Sequence, residues 1–138
     1  MTTITLKGRE IPLLYTVYEM KEIQEDICPL DDLFYQVMGT TREDPKSRDR
    51  FGTPDHLDTV AKLVRILGNA GLEEAGENPD LTEKKILRAI RPGDIAGIVT
   101  ACAQAITEGV ESEIKDPGDG EPKDVVLEEL NKKKETAS

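Results

Sequence analysis

Apolar residues alternate at the start of the chain. Ile4 and Leu6 flank Thr5, and Ile11 and Leu13 flank Pro12, so each run predicts a short strand with one apolar face. Lys7-Gly8-Arg9-Glu10 lies between them, and Gly8 is free to take the positive φ of a tight hairpin turn. Pro12 has no N–H, so the second strand needs an edge turned away from its partner. A lone hairpin is marginal in water and predicts a surface to pack on. From Thr16 the period changes. Val17, Met20, Ile23 and Ile27 step by three or four and predict a helix, with Thr16 and Glu19 in a capping-box pattern at its start and Pro29 beyond its end. Leu30, Leu33, Phe34, Val37 and Met38 predict a second short amphipathic helix stopped by Gly39. Tyr15, Tyr18, Phe34 and Tyr35 all fall in this part of the chain, which predicts an aromatic-rich subcore formed by the hairpin and two helices.

Thr40 to Gly52 shows no apolar period and predicts an exposed, mobile loop in which Phe51 is a lone aromatic. Thr53-Pro54-Asp55 opens a third helix with a cap, a proline at the first helical position and an acid at the positive end of the dipole. Leu57, Val60, Ala61, Val64 and Leu67, widened by Leu63 and Ile66, give it an apolar face broad enough for burial on more than one side. Gly68 and Gly71 are expected to weaken its end, and Glu77-Asn78-Pro79 marks a break. Thr82 caps a short helix with Ile86, Leu87 and Ile90, and Arg91-Pro92-Gly93-Asp94 restarts the chain. A fifth helix carries Ile95, Ile98, Val99, Cys102, Ala103, Ile106 and Val110 on one face. Its small residues, Ala96, Gly97, Ala101, Ala103 and Ala105, suit close approach to another helix. After Ile114 the composition becomes that of a linker, and Val125, Val126, Leu127 and Leu130 precede Lys132-Lys133-Lys134. The pattern predicts an α+β fold, mostly α. An N-terminal β-hairpin packs on a bundle of about five helices within a single domain over 1–114, and 115–138 form a flexible charged C-terminal tail.

Charge narrows the function classes. The formal net charge is −10, which argues against a broadly basic nucleic-acid binder, and no stretch approaches the ~20 apolar residues of a membrane span. The opening MTTITLKGRE lacks the apolar core of a secretory signal, so a cytoplasmic location is expected. The two cysteines, Cys28 and Cys102, have no metal-ligand spacing and the single histidine is His56, so no metal and no cofactor is expected. His56 lies between Asp55 and Asp58, neighbours that do not face it on a helix, and no nucleophile is assigned to it. Gly118-Asp119-Gly120 matches no phosphate loop, and Asp31-Asp32 suit the start of a helix better than a cation site. No catalytic residue is identified, and a non-enzymatic protein is expected. Acidity serves solubility first; a second reading is an acidic regulatory protein that occludes a DNA-binding protein by mimicking phosphate charge.

The order of these features resembles the tail assembly chaperones of long-tailed bacteriophages and prophages. The similar parts are Ile4 to Thr16, the Tyr18-Glu19-Met20-Lys21-Glu22-Ile23 helix, Leu81-Thr82-Glu83 before a short helix, Pro92-Gly93-Asp94-Ile95 opening an apolar helix that ends near Gly109, and a charged C-terminal extension. The likeness covers roughly residues 1 to 114 and rests on hydrophobic pattern and turn residues. It implies a chaperone that binds and solubilises the tape-measure protein during tail morphogenesis in the bacterial cytoplasm and is absent from the mature virion. It implies the tape-measure protein as partner, the tail-tube protein as a further candidate, no direct nucleic acid and no membrane, with self-association left open. Leu30, Leu33, Phe34, Val37 and Met38 are the candidate contacts, with Phe51 as an exposed anchor. In many members a ribosomal frameshift near the end of the short product adds a domain, and Lys132-Lys133-Lys134 is compatible with an A-rich slippery run.

Overall fold

Alternation and helical spacing resolve into the expected element types in the computed structural model, which describes residues 1–114. The expected linker, the apolar quartet 125–130 and the lysine run lie outside the described residues. In chain order the elements are β1 (Thr3–Leu6), β2 (Arg9–Pro12), α1 (Val17–Asp26), α2 (Leu30–Met38), α3 (Pro54–Glu74), α4 (Glu83–Ala89), a 3-10 turn over Pro92–Asp94 and α5 (Ile95–Ile114). The fold is α+β and mostly α, a two-stranded N-terminal hairpin against five helices.

β1 and β2 pair antiparallel with Ile4 opposite Ile11 and Leu6 opposite Arg9, so Ile4, Leu6 and Ile11 are buried while Thr3, Thr5 and Glu10 face solvent. Lys7 (φ 50°) and Gly8 (φ 79°) both take the left-handed region, as in the primed two-residue turns that match strand twist. Beyond the strand, the Leu13 N–H donates to Thr2 O at 2.9 Å and the Leu14 N–H donates to Leu67 O on α3 at 3.1 Å. Backbone N–H groups thus point alternately at β1 and at α3. Pro12, two before Leu14, stands where an N–H would face α3, and its missing donor leaves the ladder intact.

α3 is the axis of the molecule. Thr53 caps it, accepting from the His56 N–H, and Pro54 is its first residue. It touches α1, α2, α4, α5 and β2, and Leu63, Val64, Leu67 and Leu72 are fully buried. The helix runs unbroken through Gly68 and Gly71 to Glu74. They are where other parts of the chain come closest. A Cβ on Gly71 would stand 1.9 Å from Pro12 O, and one on Gly68 would stand 2.6 Å from Leu81 Cδ1. Asn69 secures the same side: its amide accepts from the Leu81 N–H at 2.9 Å and donates to Leu81 O at 3.1 Å, closing off the extended segment before α4.

The expected aromatic subcore is absent from the described residues. The buried cluster is aliphatic, Tyr18 and Phe34 are exposed, and Tyr15 and Tyr35 are half-buried. The α1 stripe is also narrower than expected. Val17 is 72% exposed and Ile23 carries the burial, together with Glu19, whose carboxylate turns back to accept from the N–H and hydroxyl of Thr16. On α5, Ile98, Val99, Cys102 and Ala105 are buried, whereas Val110 is exposed. Close approach to α5 occurs at Gly109, where a Cβ would stand 2.4 Å from Tyr15 O; Gly97 faces open space.

Gly71→Ala is therefore expected to cost about 3 kcal/mol or more, since the clash is with backbone that β2 cannot move. Gly97→Ala should stabilise by up to about 1 kcal/mol through helix propensity. Urea unfolding of the two variants beside the parent chain measures both.

Candidate functional site

α2 begins after Pro29 with Asp31 and Asp32 at the positive end of its dipole. It ends at Gly39, whose φ of 78° lets the Thr40 N–H return to Tyr35 O at 2.9 Å. Its apolar stripe faces α5 across a groove of about 240 Å3. Leu30, Leu33, Phe34, Val37 and Met38 all line this groove, and Ala103, Ile106 and Thr107 of α5 with Tyr15 complete it. The five residues play different parts. Leu33 and Val37 are buried and form the floor, Leu30 and Met38 are half-buried, and Phe34 is 62% exposed at the rim. The Phe34 ring meets Tyr35 edge-on, with centroids 5.9 Å apart and planes at 83°. Thr107 adds little polarity, because its hydroxyl donates to Ala103 O at 3.0 Å within the helix.

The α5 wall escapes sequence reasoning. Ala103 and Ile106 sit on the apolar stripe and read as core, and Thr107 reads as surface. No signal in the sequence separates these positions from the core positions of the same stripe. Phe51 does not join the groove. It is half-buried, its ring tilted 36° against His56 with centroids 4.8 Å apart, and the Arg48 guanidinium lies 4.6 Å from its centre. It also covers Gly39, where a Cβ would stand 2.9 Å from Phe51 Cα. The expected exposed anchor thus fastens the end of the 40–52 loop, and Phe34 is the exposed aromatic of the pair.

His56 is fully buried and its ring is held by backbone at both nitrogens. The Gly52 N–H donates to Nδ1 at 3.0 Å, which requires the proton on Nε2, and Nε2 donates to Val37 O at 2.7 Å. Neither nitrogen is left for a substrate. Burial pushes the His56 pKa below its ordinary value, and Arg50 and Arg48 add to this against the opposing Val37 carbonyl. The Cys102 thiol, wholly buried, is pushed up to about 12, and that of half-buried Cys28 is raised by burial and by Asp32, so both are protonated at neutral pH. Asp32 is engaged by Arg42 at 2.7 Å. Among the described residues no three His, Cys, Asp or Glu side chains gather as a metal site, and no helix is long and apolar enough to cross a membrane.

No family model, no curated protein and no solved structure matches the chain.

The single histidine permits an unambiguous titration. Because the neutral ring is favoured in the fold, its contribution to stability is full above about pH 6.5 and is lost as pH falls through 6.5 towards the lower folded-state value. An NMR titration should place the His56 midpoint below 6.5, and urea unfolding should show that contribution vanish in His56→Leu. That variant should also lose about 2 kcal/mol or more, since the Gly52 N–H and Val37 O are left without a partner.

Proposed function

We propose that the protein is a non-enzymatic assembly chaperone of a long-tailed phage or prophage, working in the host cytoplasm. It shields amphipathic segments of the tape-measure protein until the tail tube forms around them. The observation that carries this reading is the apolar groove between α2 and α5, with Phe34 standing 62% exposed at its rim. A large aromatic in water beside an apolar trough is a contact surface for an apolar partner side chain. An amphipathic helix presents such side chains at i, i+3 and i+4, the arrangement that helix-in-groove recognition uses. At about 240 Å3 the groove takes one or two of them, so each contact is modest and a long client engages several copies. The net charge of −10 serves the same task by keeping a chaperone–client complex dispersed.

The resemblance in sequence order supports the choice of client, and the neutral, backbone-bound state of His56 and the protonated thiols support a binding role over bond-making chemistry.

Coexpression with tape-measure fragments tests the reading. The chain should keep a fragment soluble and co-purify with it, and Phe34→Asp should weaken association about tenfold or more, the loss of one buried aromatic contact. Phe34 is exposed, so the variant should keep its melting temperature. Undiminished capture by Phe34→Asp, or no capture by the parent chain, would remove the reading.

A further inference from the structure

A second cavity, of about 460 Å3, lies at the tip of the hairpin beside α4. Lys7, Arg9, Lys85 and Arg88 line it with a single acid, Asp80, over a floor that includes Leu6 and Ala89. This concentration of cations is unexpected in a chain of net charge −10. Two of the four are occupied by the protein itself: Arg9 bonds Asp80 at 2.9 Å, and the Lys85 amine lies 3.9 Å from the same carboxylate. Lys7 and Arg88 have no carboxylate within 4.0 Å among the described residues. Lys7 is also the described non-glycine residue with a positive φ, at 50°, a conformation that costs an ordinary side chain about 1–2 kcal/mol. The turn would form more readily with Asn or Gly there, so a lysine held at the rim against its backbone preference points to a use for its charge.

We propose that this cleft docks the chain's own segment Asp124-Val125-Val126-Leu127-Glu128-Glu129-Leu130. The chemistry is complementary. Asp124, Glu128 and Glu129 meet Lys7 and Arg88, and the aliphatic residues meet the apolar floor. From Asp116 to Leu130 there are six acids and one lysine, the opposite balance to the cleft. The reach suffices. Thr2 is bonded to Glu108, at 2.9 Å from its hydroxyl and 3.1 Å from its N–H, which fixes the start of β1 beside the last part of α5. From Ile114 back to Glu108 along α5 and then along β1 to Leu6 is about 22 Å. Residues 115–123 span about 30 Å when extended. The α2–α5 groove is nearer, but its lining residues include no cation to pair with the acids of the segment.

The test uses the full chain. Zero-length carbodiimide cross-linking followed by mass spectrometry should join Lys7 or Lys85 to Asp124, Glu128 or Glu129. In a mixture of isotopically light and heavy chains the links should fall within one chain. Amide exchange of 124–130 should be slowed, and Lys7→Asn with Arg88→Gln should speed it about tenfold, as should salt near 1 M, where the screening length is about 3 Å. Lys7→Asn suits the turn, so loss of folding does not confuse the result. Reversing both sides, Lys7→Glu and Arg88→Glu with Glu128→Lys and Glu129→Lys, should restore protection that either side alone abolishes. Unprotected amides in the parent chain, links between chains, or protection that survives the cleft changes and disappears in Phe34→Asp would each overturn the proposal. Because the client reading is judged by capture in Phe34→Asp, the two fail separately.

Discussion

The backbone of residues 12–15 lies against two helices at points where neither helix has a side chain. Pro12 O faces Gly71 of α3 and Tyr15 O faces Gly109 of α5, each so closely that a single Cβ would collide. The Leu14 N–H adds a bond to Leu67 O between these points. Four residues therefore fix α3 and α5 to a common extended segment that continues β2, and the hairpin, too small to stand alone, is held by the same contacts. Tyr15 continues from this clamp into the wall of the α2–α5 groove. The contact at Gly109 thus also sets the place of Tyr15 in the groove wall.

Much of the element plan is legible because its causes are local. Thr53-Pro54 and Thr82 cap helices with side chains that bond three residues on, Gly39 ends α2 through its own φ, and Lys7-Gly8 makes a turn without help from elsewhere. Gly68 and Gly71 mislead because their partners, Leu81 and Pro12, lie elsewhere in the chain; read locally, a glycine in a helix is only a loss of propensity. The aromatics mislead for another reason. With α3 supplying aliphatic residues on nearly every side, the centre fills without rings, and Tyr18 and Phe34 remain in solvent. The α2 half of the groove is legible as an amphipathic stripe. The α5 half is not, since whether Ala103 and Ile106 face a core or a trough depends on how far α2 stands away.

Two surfaces of different chemistry emerge on one small body. The α2–α5 groove is apolar with acids at the N-terminal end of α2, whereas the hairpin–α4 cleft is ringed by cations. Their separation follows from topology: Thr2, just before β1, is bonded to Glu108 of α5, and β1 ends at Leu6 in the cleft beside α4. An anionic ligand would be favoured at the cleft and would find no charge partner among the groove's lining residues.

The α2 wall is fastened mainly at one end. Val37 O is bonded by His56, Gln36 O receives Arg50 Nη1 at 3.4 Å, and Phe51 packs over Gly39, so the C-terminal turn is tied to α3 and to the loop before it. The same histidine holds Gly52, so one buried ring joins groove floor, loop and helix start. Phe34, one turn before Val37, is 62% exposed. Under the proposed function, a partner entering the trough would meet a floor already in place and an exposed rim side chain. That combination would lower the ordering cost of binding while still admitting clients of differing sequence.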